Sequence, residues 1–308
     1  MKKFIIKLLL FSILISGIVL IMLSRYGGYV DYFYNKVSSP RQSALIIGES
    51  RSFQGLQPAV INENLKGDFD LPIFNYSFTL SQATYGDGFL KSIKGKVKQT
   101  TRNGLFILSI QPWLMAEREG DTIEKGIFFE KDLPPHNMSF FAMNPNFEYF
   151  FKNYSYFHFK AIIKRTSKVH DDGWLEESNI PKDTILLNQW KQEQIKMYKG
   201  FADHWKKSAY RFMYLEKTIE FLKQHGTVVL VRIPCSKAII AIEEQFWNGF
   251  DNDMNALAQK NQIQYVNYTL VENSYYSYDG VHLDKNSGAA FSKSLCDSIK
   301  SFNKLKTQ

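Results

Sequence analysis

Cysteine is nearly absent: the chain holds two, Cys235 and Cys296, and neither has metal-ligand spacing. That argues against a thiolate metal centre, and both read as free, mostly buried thiols. His136, His158, His170 and His204 are scattered at no ligand spacing, so no metal and no cofactor is expected. A glycine-rich phosphate loop is also missing, which weakens any reading as a phosphate-binding domain. The formal net charge is +8, but the lysines are spread out and form no long basic block. Nucleic-acid binding therefore has no support, whereas phospholipid or acidic polysaccharide suits the charge balance. Apolar residues make up 44% and charged residues 22%, so the chain is not a disordered one. Its 308 residues are enough for one large domain or two small ones.

Long apolar runs are absent except at the amino end. Residues 1–24 form a targeting element: Met1-Lys2-Lys3 is basic, and Phe4 to Leu23 is almost wholly apolar, broken by Lys7, Ser12, Ser16 and Gly17. About twenty residues of helix span a bilayer's hydrocarbon. No small-x-small cleavage site follows, so an uncleaved anchor is expected, with the amino end cytoplasmic and the bulk of the chain outside. Residues 25–42 read as a juxtamembrane tether. Tyr26, Tyr29, Tyr32, Phe33 and Tyr34 suit the headgroup level.

From residue 43 to 304, short apolar strands alternate with helical patterns, which implies a parallel sheet. Strands are expected at 44–47, 70–75, 105–110, 227–233 and 264–268. Helices are expected at 53–64, 81–98, 208–224, 241–260 and 287–302, with Met213, Ile219 and Leu222 on one buried face of the third. Residues 113–205 break the alternation. This insertion is crowded with aromatics from Phe128 to Phe159, which read chiefly as filling a core of its own, and alternatively as a lid or groove wall.

Two motifs carry chemistry. The first strand ends in Gly48-Glu49-Ser50, which lifts a serine onto a strand-to-helix turn at the carboxyl end of the sheet, where open α/β folds bind ligands. After the last strand comes Asp279-Gly280-Val281-His282. Placed three apart on one helical turn, Asp279 could hold one imidazole nitrogen while the other faces a serine, which is the order nucleophilic serine chemistry needs. The alternatives are an ordinary capped turn and a solvated surface loop.

Together these blocks resemble the SGNH/GDSL hydrolases, and more closely the membrane-anchored envelope branch similar to the D-alanine-transfer protein of teichoic acids and to alginate acetylation proteins. The resemblance implies a flavodoxin-like three-layer α/β/α sandwich. It also implies a triad of nucleophile Ser50, base His282 and orienting Asp279. The family's oxyanion glycine has its counterpart at Ser77, whose backbone N–H survives the change. Its Gly-x-Asn-Asp block is missing, and Gln111 stands at the matching offset. Arg232, at a strand's carboxyl end, is a candidate for a substrate carboxylate or phosphate or for a structural acid. Arg51, beside the serine, is a further substrate-binding candidate. The function implied is an O-acyltransferase or esterase acting on acylated envelope glycan, with a membrane-bound O-acyltransferase as partner. The other reading is an inactive glycan-binding or scaffold subunit.

Overall fold

The computed structural model of the chain describes residues 1–153, 167–270 and 274–306. Five parallel strands form the central sheet: β1 (Ala44–Gly48), β2 (Ile73–Ser77), β3 (Gly104–Ser109), β8 (Gly226–Arg232) and β9 (Gln264–Asn267). Their order is β2-β1-β3-β8-β9, which is the flavodoxin order once the four short strands of the insertion are set aside. Alternation along each strand builds two cores. On β1, Leu45 and Ile47 face one, and Ala44 and Ile46 the other. The first core is covered by α5 (Asp87–Lys96), α8 (Ala209–Lys223) and α10 (Phe250–Asn261). The second is covered by α4 (Pro58–Asn64) and α11 (Lys285–Lys306). Each side chain fully buried in these layers stabilises the fold by about 1.5–3 kcal/mol.

Local chemistry breaks several of the expected helices. The helix expected at 53–64 is two, α3 (Ser50–Gly55) and α4, because Pro58 has no N–H to continue the first and restricts Gln57 to an extended conformation. The one expected at 241–260 is α9 (Lys237–Phe246) and α10, separated at Gly249, which adopts φ +77. On α8, Ile219 and Leu222 are buried as expected, but Met213 is exposed and Leu215 takes its place.

At the amino end, α1 runs from Lys2 to Val30, well past the expected boundary, and its stretch Lys2–Met22 is long and apolar enough to cross a membrane. What reads as a tether is largely helical and packed. After α1 comes α2 (Tyr34–Ser38), with Lys36 and Val37 wholly buried. Gly28 lies so close to β5 (Ser167–Val169) that a Cβ there would sit 2.1 Å from the Val169 carbonyl oxygen. The insertion is closed at its base by β4 (Ala116–Glu117) pairing antiparallel with β7 (Lys206–Lys207). Within it, β5 pairs with β6 (Leu175–Glu177), and α6 (Phe147–Asn153) and α7 (Thr184–His204) follow the chain order. Tyr154, Tyr156, Phe157, His158 and Phe159 lie outside the described residues. Both cysteines are free.

Candidate active site

The site starts at the end of β1. Gly48 is required there by close packing: a Cβ would meet Ser52 Oγ at 2.5 Å and Ser109 Cβ at 2.6 Å. The chain then turns into α3. Glu49 caps that helix in an extended conformation, its carboxylate accepting the Arg51 N–H at 2.9 Å. Ser50 is the first helical residue, so its own N–H has no intrahelical acceptor and points out of the helix end.

His282 and Asp279 arrive from the other end of the chain, on a bend rather than on a helical turn. The bend closes on Asp279, whose Oδ1 accepts the N–H groups of Val281 (2.9 Å) and His282 (2.8 Å). Gly280 takes φ +86, and its carbonyl accepts the Ser236 N–H at 2.8 Å, which ties the bend to the loop after β8. The second carboxylate oxygen, Oδ2, lies 2.7 Å from His282 Nδ1 and accepts Gln194 Nε2 at 3.3 Å. His282 Nε2 lies 2.8 Å from Ser50 Oγ. The Tyr278 ring stacks on the imidazole, with centroids 6.0 Å apart, and its hydroxyl donates to Gln54 Oε1.

Electrostatics orient this chain of bonds. Burial works against charge on Asp279, but the His282 hydrogen bond and the two N–H groups outweigh it and hold the carboxyl below its ordinary range. An ionised Asp279 only accepts, so Nδ1 carries the imidazole proton and the Nε2 lone pair faces the serine. The hydroxyl has a second acceptor in Glu49 Oε2, 3.0 Å away. Beside His282 opens a cavity of about 270 Å³, walled by Trp190, Glu193 and Gln194 of α7, by Glu177 at the end of β6 and by Asn179 just beyond it.

The remaining sequence candidates fare differently. The Ser77 N–H donates to Asn75 Oδ1 at 3.1 Å and its hydroxyl pairs with Ser52 Oγ, so it is engaged within the fold and is no oxyanion donor. Arg51 is also no substrate contact: it is buried, and its guanidinium reaches Glu243 at 2.6 Å and the Tyr198 hydroxyl. Arg232 resolves to its structural alternative, buried and paired with Glu243, Glu244 and Asp251 at 2.9, 3.1 and 2.7 Å. Glu243 thus bridges both arginines within the fold. Gln111 is buried just beyond β3, and neither amide atom has a partner among the described residues. Glu49, Gln194, Trp190 and Tyr278 were not anticipated. Glu49 alone had a signal, an acidic side chain at a helix N-cap.

No family model and no curated protein matches the chain. Among solved structures, the aryl esterase of M. smegmatis overlays 85% of this chain and 99% of its own at 11% identity and a TM-score of 0.39. Est24, a carbohydrate acetylesterase from Sinorhizobium meliloti, overlays 85% of this chain and 100% of its own at 9% identity and a TM-score of 0.40. Overlays this loose fix neither activity nor substrate.

Proposed function

We propose that the chain is an SGNH-type serine acyl-ester enzyme, anchored in a bacterial plasma membrane by α1 and facing outward. The observation that carries this is the unbroken line from Ser50 Oγ to His282 to Asp279, with bonds of 2.8 and 2.7 Å. Ser50 Oγ attacks an acyl carbonyl while its proton passes to His282 Nε2. Asp279 stabilises the imidazolium that results. The oxyanion is held by the Ser50 N–H at the helix start and by the Gln111 amide, whose Nε2 has no other acceptor among the described residues. Collapse expels the alcohol, which takes the proton back from Nε2 and leaves an acyl-Ser50. A sugar hydroxyl or water then attacks that ester, with Nε2 again as base, and Ser50 regains its proton.

The substrate class is an acylated envelope glycan. Trp190 and Tyr278 give the cavity aromatic faces that suit sugar rings, and Glu177, Glu193 and Asn179 offer acceptors and donors for hydroxyls. A membrane-bound O-acyltransferase suits the anchored topology as acyl-donor partner. The test is labelling by a fluorophosphonate probe together with turnover of a generic acetyl ester. Ser50→Ala should abolish both, and persistence of either removes Ser50 from the mechanism.

One observation favours a second reading, a non-catalytic glycan-binding subunit. Ser77 cannot serve the oxyanion and no asparagine stands where Gln111 does. That reading expects polysaccharide binding without probe labelling, so labelling of Ser50 decides between the two.

A further inference from the structure

The amino-terminal helix stands clear of the domain for only part of its length. From Lys2 to Ile18 its large side chains are exposed, and from Val19 one face packs into the fold through Val19, Met22 and Val30 while Ile21, Arg25 and Tyr26 stay exposed. At 1.5 Å per residue the free part is about 25 Å long, a little less than the roughly 30 Å of a bilayer's hydrocarbon. Val19 and Met22, still within the apolar span, are buried in a cluster with Met138, Phe141 and Tyr149 of the insertion. The domain therefore meets the helix below the level at which the helix would leave the lipid.

The surface that flanks this contact is apolar. Phe140, Phe147 and Phe151 are 56%, 49% and 80% exposed. Phe147 and Phe151 lie four apart on α6 and share a face. Phe140 is held against that helix by its N–H on Glu148 and its carbonyl on Asn146. Glu148, the acid on this helix, is occupied by the Ser139 and Phe140 N–H groups and by Lys152. Further along α1, Arg25 and Lys168 line a cavity of about 430 Å³ with Tyr29 and Asp171. Neither cation has a carboxylate partner among the described residues, and Lys168 lies over the Tyr29 ring.

We infer that this face is a second membrane contact, with Phe140, Phe147 and Phe151 immersed at the acyl boundary and Arg25 and Lys168 meeting headgroup phosphates. The occupant is a phospholipid bilayer. Exposed phenylalanines beside the base of an apolar span, with two cations further along it that meet no carboxylate among the described residues, match the layering of that interface. The inference rests on the anchor reading, and the experiment separates the two.

The full chain is placed in phospholipid nanodiscs and spin-labelled in turn at Phe140→Cys, Phe151→Cys, Leu10→Cys and Leu270→Cys, with the parent as background for the native thiols. Collision rates with oxygen and with a water-soluble nickel chelate are then compared. Leu10 reports the span and Leu270 an exposed loop. Labels at 140 and 151 should meet oxygen more often than nickel, as the Leu10 label does, whereas the Leu270 label should show the reverse. A nickel-dominated signal at 140 and 151 overturns the inference. Alongside a lipid signal at Leu10 it does so with the anchor intact, and alongside an aqueous one the anchor falls too.

Discussion

Asp279→Asn is the substitution whose outcome the geometry constrains most tightly. An asparagine side chain must choose which of its two ends faces His282. The Asp279 Oδ1 position accepts two N–H groups, from Val281 and His282. An amide oxygen there keeps both bonds, and an amide nitrogen there loses both and faces two donors. Leaving two buried N–H groups unpaired costs at least about 2 kcal/mol, a ratio of roughly 30. The nitrogen is therefore driven to the Oδ2 position, where it faces His282 Nδ1 and the Gln194 amide. Donating to Nδ1 forces the imidazole proton onto Nε2, and Nε2–H then faces Ser50 Oγ with no lone pair to receive its proton. At most about 3% of molecules keep the productive tautomer, and loss of imidazolium stabilisation lowers the rate further, toward about 10⁴-fold. The assay is kcat/KM on an acetyl ester alongside the rate of fluorophosphonate labelling, with the melting temperature as a control for folding. Residual activity above a tenth of wild type in a folded variant would refute the tautomer argument.

Gln111→Leu keeps the buried volume and removes the unpartnered amide. If Gln111 holds the oxyanion, kcat falls about 10²–10³-fold while KM stays near its value, and an unchanged kcat excludes it. Glu243→Ala leaves the buried guanidinium of Arg51 without its carboxylate and strips Arg232 of one partner, so chemical denaturation should show a loss of about 3–5 kcal/mol. Acid should act through Asp279, whose folded carboxyl lies below its unfolded value. Its contribution to stability is full above the ordinary carboxylate range and disappears as pH falls through the lowered folded value. The gap in stability between wild type and Asp279→Asn should therefore narrow on acidification, and a gap independent of pH contradicts the assignment.

The sheet was legible because its strands are continuous apolar runs, such as Leu105 to Leu108 and Val228 to Val231, and a strand buried on both faces has little freedom in composition. The convergence of Ser50, Asp279 and His282 could be read because a serine on a strand-to-helix turn and an Asp-x-x-His after the last strand are chemically distinctive. For Arg232 the sequence left a substrate anion and a structural acid open for a physical reason: a strand's carboxyl end tells where a side chain starts, not which acid meets it, and Glu243, which pairs with both Arg232 and Arg51, comes from a helix whose packing no local pattern reveals. The cavity wall was illegible as well. Trp190 and Gln194 reach the site because α7 packs against α9, with Tyr198 clustered with Ile239 and Ile242, and a mixed-polarity helix looks the same wherever it docks. The extension of α1 to Val30 lies beyond the apolar run that set its expected end, and it carries Gly28, where the helix comes too close to Val169 for any Cβ.

The serine and its imidazole are separated by 232 residues of chain, and the helix that follows the imidazole fastens the two regions together, with Gln57 bonded to Ser292 and to Lys285. On the mechanism proposed above, the attacking hydroxyl is therefore made long before the base that activates it. On that mechanism a product stopped before Asp279 carries Ser50 with neither its base nor the orienting carboxylate. The proposed reactivity thus waits on the meeting of two segments far apart in sequence.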